Sequence, residues 1–160
     1  MHWGSGTCFA YGKGIPPLIM KFILLPDEYS IYRFGPGQIP SFDPRSQAFY
    51  CVTSTMEEVS VVCASGALEG ALKVEYGWRL LKIAGPLDFS LVGVLAEASR
   101  ILAAAMVSIF AVSTFDTDYL LVKAGKLDDA RAALEGGGHS VEIALEQEEK
   151  SGISDGEISV

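Results

Sequence analysis

Hydrophobic and polar positions divide this chain into a strand-rich first half and a mixed second half. Residues 78–84 form a short apolar run that reads as a strand, closed by a Gly85-Pro86 turn. Over 90–105 the apolar residues Leu91, Leu95, Ala98 and Leu102 recur at helical spacing, with Glu97 and Arg100 off that stripe. Asp88 or Ser90 stands where a helix needs an N-cap for its unpaired N–H groups. Residues 107–113 and 119–122 read as two strands around the polar turn Thr114-Phe115-Asp116-Thr117-Asp118. A second helix is predicted over 126–135, with Leu127, Ala130, Arg131 and Leu134 stacked on one side. Gly136-Gly137-Gly138 ends it, and residues 140–145 return as a strand. Strand, helix, strand, strand, helix, strand is the order of a βαββαβ unit.

The first half shows strands and turns. Strands are predicted over 21–25, 48–53 and 59–64, with an edge strand over 29–34 after a turn at Pro26-Asp27. Residues 68–73 are too short and Gly-flanked for a helix. Residues 1–19 are Gly-rich, lack periodicity and carry Pro16-Pro17, which predicts a poorly ordered leader. Met20-Lys21-Phe22 reads as a second translation start. Residues 146–160 carry no periodic apolar positions and read as an acidic, solvated tail. The halves show no residue-level repeat.

Charge sharpens this picture. The net charge is −8 over 160 residues, and residues 142–160 hold six acids against one base, leaving about −3 for the rest. Without a basic stripe, nucleic acid and anionic membrane are not expected partners. The apolar stretch over 101–112 is interrupted by Ser108 and preceded by Glu97 and Arg100, too short to span a bilayer. No secretory signal pattern is present at the N-terminus. Cys8, Cys51 and Cys63 have no metal-ligand spacing, and their odd number suits a reducing cytoplasm. Cys51 and Cys63 read as buried small hydrophobes, and Tyr76 and Trp78 as packing residues at a sheet edge. His2 and His139 lack ligand-spaced neighbours and read as solvated. Asp116 and Asp118 lack the further oxygens a divalent ion demands. No nucleophile elbow, zincin helix, phosphate loop or dinucleotide fingerprint occurs. No enzyme, cofactor or metal site is therefore expected.

Three phrases, GPLDFSLVGVLAEAS, VSIFAVSTFDTDYLLVK and KLDDARAAL, resemble an ACT domain, the amino-acid-sensing module of aspartate kinases. The likeness extends to small tandem-ACT proteins related to the Castor-type cytosolic arginine sensors. It implies an α+β fold: two ferredoxin-like βαββαβ (ACT) domains in tandem, antiparallel sheets with helices on one face. Residues 20–77 would be a first, degenerate ACT domain and 78–145 the second.

The resemblance also singles out two loops. Asp88, Phe89, Ser90, Leu91 and Val92 open the first helix, and Thr114, Phe115, Asp116, Thr117 and Asp118 join two strands. A helix N-terminus suits the carboxylate of a free amino acid, and Asp88, Asp116 and Asp118 suit its ammonium. The same residues also fit a simple N-cap and ordinary turn chemistry, without any ligand. In the Castor-type arrangement the ligand sits between two ACT domains of one longer chain. Here one clear copy exists, so a homodimer is expected to complete the pocket. The resulting reading is a non-catalytic regulatory protein that binds a free amino acid and acts on a regulated enzyme or signalling protein. The alternative is an ACT-fold interaction or regulatory subunit with no small-molecule ligand.

Overall fold

The computed structural model describes residues 18–38, 40–41 and 43–144. The expected leader lies outside the described residues up to residue 17, and the expected tail lies outside them entirely. Seven strands and two α-helices follow in order: β1 (Lys21–Phe34), β2 (Cys51–Ser54), β3 (Val59–Ala64), β4 (Lys73–Ile83), α1 (Val94–Ala104), β5 (Ile109–Ser113), β6 (Asp118–Lys123), α2 (Leu127–Gly136) and β7 (Ser140–Ile143). All seven strands join one sheet, in the order β2-β3-β1-β4-β6-β5, with β7 beside β1. Among the described residues, only the β1–β7 pairing is parallel.

β1 departs most from the pattern-based expectation. It is one central strand of 14 residues, where a strand, a turn and an edge strand are predicted. Its start, Lys21 to Leu24, pairs with β7, and its end, Tyr29 to Phe34, pairs with β3. β4 follows it on the other side. Pro26 is tolerated because the register with β4 slips between Leu24 and Glu28, so no ladder bond is asked of the missing N–H. The Arg79 guanidinium donates to the Leu25 and Pro26 carbonyls at 3.2 and 3.3 Å and so holds this bulge.

β4 carries a second bulge. Gly77 has φ 75, and two β4 residues, Tyr76 and Gly77, oppose the single β1 residue Ser30. The expected division at residues 77 and 78 therefore falls inside a strand. Among the described residues, 20–77 form strands and a 3-10 turn (Pro44–Ser46) with no α-helix, and β1 and β4 join this half to the other. The βαββαβ path is β4-α1-β5-β6-α2-β7, with β1 inserted between β7 and β4.

Both helices cover one face of the sheet. Val94, Ala98, Ile101 and Leu102 of α1 and Ala130 and Leu134 of α2 are buried with Phe22, Leu24, Leu81, Ile83, Leu120, Val122 and Val141. The alternate residues Tyr29, Trp78, Leu80 and Leu121 face the other way, where Phe49 packs on them. Trp78 thus sits in a core, whereas Tyr76 is exposed. Cys63 is buried and Cys51 half-buried. No described helix is long and apolar enough to cross a membrane.

The helix ends differ instructively. Both close with the paired hydrogen bonds of a Schellman motif, which needs a left-handed residue just past the C-cap. After α2 that residue is Gly138, at φ 88. After α1 it is Met106, at φ 56, with the Val107 N–H donating to Leu102 O at 2.9 Å and the Met106 N–H to Ala103 O at 3.0 Å. A side chain in this conformation costs about 1 kcal/mol. Met106 is 83% exposed and contributes little packing in return.

His139 is a correction to the solvated reading: it is only 8% exposed. The glycines before it end α2 and turn the chain inward, so its ring meets Phe22 edge-on at 6.0 Å. The Met20 N–H donates to Nδ1 at 3.2 Å, so the ring proton sits on Nε2. That N–H has no partner among the described residues. Burial pushes the His139 pKa down, helped by Arg100 and opposed by Glu97.

Two outcomes follow. Met106→Gly should raise stability by about 1 kcal/mol in urea unfolding; no gain would mean that Met106 packs more than its exposure implies. For His139, the unfolded chain takes up a proton near pH 6.5, while the folded chain resists it. Its contribution is full above about pH 6.5 and is lost as pH falls through that value toward the lower folded pKa. The wild-type Tm should therefore fall more between pH 7.5 and 5.5 than that of His139→Gln, and parallel curves would refute this assignment.

Candidate functional site

The site is built where the β4–α1 connection meets the β5–β6 turn. The Thr114 N–H and hydroxyl both donate to Thr117 O, at 2.8 and 2.9 Å, and close the turn. The Thr117 hydroxyl, buried, donates across to Ile83 O at 2.5 Å. The Leu87 N–H donates to Asp116 O at 2.8 Å. These two bonds fasten the turn to the end of β4 and the loop beyond it. Gly85 lies at the seam: a Cβ there would sit 2.8 Å from Asp116 O, so only glycine allows this approach.

The loop from Asp88 runs on differently from expectation. Neither Asp88 nor Ser90 caps α1. An Asp88 carboxylate oxygen accepts the Ser90 N–H at 2.8 Å, and the Leu91 N–H donates to Asp88 O at 2.9 Å, so Asp88 closes its own local turn. The Ser90 hydroxyl and N–H beside it hold the Asp88 carboxyl below the usual carboxylate range. The helix starts later, at Val94, and its N-cap is Gly93 with φ 90 and no side-chain cap. The first intrahelical bond is Glu97 N–H to Gly93 O. Helix geometry thus leaves the N–H groups of Val94, Leu95 and Ala96 without an intrahelical acceptor.

A cavity of about 380 Å³ opens at this junction. Its wall includes Asp88, Phe89, Leu91, Thr114, Phe115, Asp116, Thr117 and Asp118, together with Leu87, Gly93, Val94, Leu95, Ala96 and Ser113. Of the predicted residues, Ser90 and Val92 stay outside the lining. Gly93 to Ala96 were missed because Leu91 extends the helical apolar spacing upstream of the true helix start. A glycine four residues ahead of Glu97 was the available signal.

Three carboxylates face this cavity, Asp88, Asp116 and Asp118, and no lysine, arginine or histidine lines it. Asp118 accepts the Ser113 hydroxyl at 2.5 Å, which orients it. The same lining includes the uncapped helix end, with partial positive charge. The rim is apolar: Phe89 and Phe115 meet edge-on at 5.0 Å and are 77% and 79% exposed. Such a site offers acceptors for a cationic group and donors for an anionic one. No cluster among the described residues is arranged to hold a metal ion.

A family model described as ACT domain matches residues 73–136, from the start of β4 to the end of α2. Among solved structures, the chain is similar to protein Atu0741 from Agobacterium tumefaciens, with 30% identity over 82% of this chain and 98% of that one, at a TM-score of 0.73. It shares its fold with the ligand-free regulatory subunit of aspartate kinase from Thermus thermophilus, at 13% identity over 72% and 95% of the two chains and a TM-score of 0.51. Aspartate kinase from Clostridium acetobutylicum aligns at 11% identity and a TM-score of 0.52, over 69% of this chain and 33% of the kinase. The chain thus spans about a third of that enzyme. No curated protein matches it. With the helix-covered antiparallel sheet and the family match, residues 73–136 form an ACT domain, in a chain related over most of its length to Atu0741.

Proposed function

We propose that this chain is a non-catalytic, cytoplasmic regulatory protein that binds a free amino acid in the cavity between the β4–α1 loop and the β5–β6 turn. One observation carries this reading: the uncapped first turn of α1 and the carboxylates of Asp88, Asp116 and Asp118 line the same space. A free amino acid presents one carboxylate and one ammonium. The N–H groups of Val94, Leu95 and Ala96 answer the first, and the aspartates answer the second. Aspartate kinases and their regulatory subunits share the fold, and the Clostridium enzyme is described as allosteric. In this reading residues 20–77 stand for a reduced first ACT unit and 78–145 for the second.

The exposed rim of Phe89 and Phe115 supports a homodimer, in which a second copy covers the open side of the cavity. A ligand held there shifts the dimer by binding one arrangement more tightly than another, and a regulated enzyme or signalling protein would read that change. The same rim favours a second reading, an interaction subunit that uses this surface for a protein and holds no small molecule.

Thermal unfolding of the full chain against each of the twenty amino acids at millimolar concentration separates them. Ligand at a hundredfold over Kd should add roughly 2.7 kcal/mol, a clear rise in Tm, with one or two amino acids only. Asp118→Asn keeps an acceptor for Ser113 but removes the charge, and it should abolish the rise while unfolding stays cooperative. A Tm that no amino acid moves would reject the sensor in favour of the interaction subunit.

A further inference from the structure

A second cleft, of about 240 Å³, borders the proposed ligand cavity at Ser113. Cys51 and Thr53 of β2 and Ser60 and Val62 of β3 form one wall; residues 110–113 of β5 form the other. β2 and β5 are the two ends of the six-strand path. In a flat sheet they would lie about 24 Å apart, at roughly 4.8 Å per strand. Sharing one cleft means that the sheet curls until its free edges look toward each other.

The ladder shows which backbone groups are unpaired. The Thr114 N–H bonds Thr117 O, so the 114–117 pair is hydrogen-bonded, and by alternation so are 112–119 and 110–121. The N–H and C=O groups of Ile109, Ala111 and Ser113 therefore point off the free edge. The same count on β2, from the Thr55 N–H to Glu58 O, turns Val52 and Ser54 to its free edge. Edge strands are ordinarily guarded by lysine, proline or inward charge. β5 reads IFAVS and β2 reads CVTS, with none of these. β7, on another flank, carries Glu142 in an ion pair with Lys21. The Thr53 and Ser60 hydroxyls, paired across β2 and β3, make no hydrogen bond among the described residues.

We propose that this cleft receives an extended, uncharged peptide segment of a partner protein, added as a strand along β5. Its backbone pairs with Ala111 and Ser113, and its inward residues are small or hydroxylic, facing Thr53 and Ser60. An absence of charge on both walls selects against acidic and basic segments, because a charge buried there would find no counter-ion. Main-chain bonds supply affinity, and the alternating inward positions supply selectivity. This proposal does not rest on the amino-acid reading, but the two spaces meet at Ser113, whose hydroxyl also bonds Asp118.

An acetylated and amidated heptapeptide of alternating threonine and valine serves as the probe. In the full chain, millimolar peptide should slow amide exchange at Ala111 and Ser113 by about tenfold or more. Val112, already bonded to β6, should change little. The same peptide N-methylated at alternate residues should give no protection. Ala111→Pro removes an edge N–H that no ladder bond uses, so it should keep the fold and lose the peptide. Unchanged exchange at both amides, equal binding by Ala111→Pro, or equal protection by the methylated peptide would overturn the proposal. Protection that rises with protein concentration in the absence of peptide would overturn it in favour of a second copy on this edge.

Discussion

The hydrogen bonding of β1 on both sides is the constraint on which this architecture depends. β1 pairs with β3, β4 and β7, so both halves of the sheet are joined through it. Its first residues place Phe22 and Leu24 under the helices, and past the bulge Tyr29 enters the opposite core. Alternation of side chains along β1 lets one strand serve both faces. Arg79 ties that bulge to β4 through two carbonyls. Without β1, the final strand of the βαββαβ path would have no neighbour in the sheet.

The candidate ligand site depends on a more local constraint. Its two loops come from different parts of the ACT unit, and two short bonds hold them in register, Thr117 to Ile83 and Leu87 to Asp116. Both involve main-chain atoms, so the side chains of Asp88, Asp116 and Asp118 remain available to the cavity. Glycine does the complementary work at two points: Gly85 lets the loops touch, and Gly93 starts α1 without covering its N–H groups.

Much of the second half was legible in the chain. The helix at 126–135 and the strands on either side of the Thr114 to Asp118 turn follow from spacing and turn chemistry, since each buries one face against one core. The juxtaposition of the two loops follows from the βαββαβ order, and the ACT resemblance points to the same residues. The illegible parts share a cause: they sit where a local signal has two physical meanings. Pro26 reads as a turn, but it occupies a bulge in a continuous strand. Leu91 prolongs an apolar stripe, yet it is 46% exposed ahead of the helix. His139 looks like a loop residue, and only the return of β7 beside β1 buries it.

The parallel pairing of β1 with β7 also sets an order of assembly. The Met20 backbone meets His139 across 119 residues of chain. As the polypeptide leaves the ribosome, β1 can find β3 and then β4 early, because those partners follow within a few tens of residues. Its remaining flank stays open until α2 and β7 have emerged. The helix-side core is therefore sealed last, by a pairing across 119 residues of chain, and closing so long a loop makes that step slow compared with the hairpins. Until then the apolar start of β1 is a nascent-chain surface that must be kept from other strands.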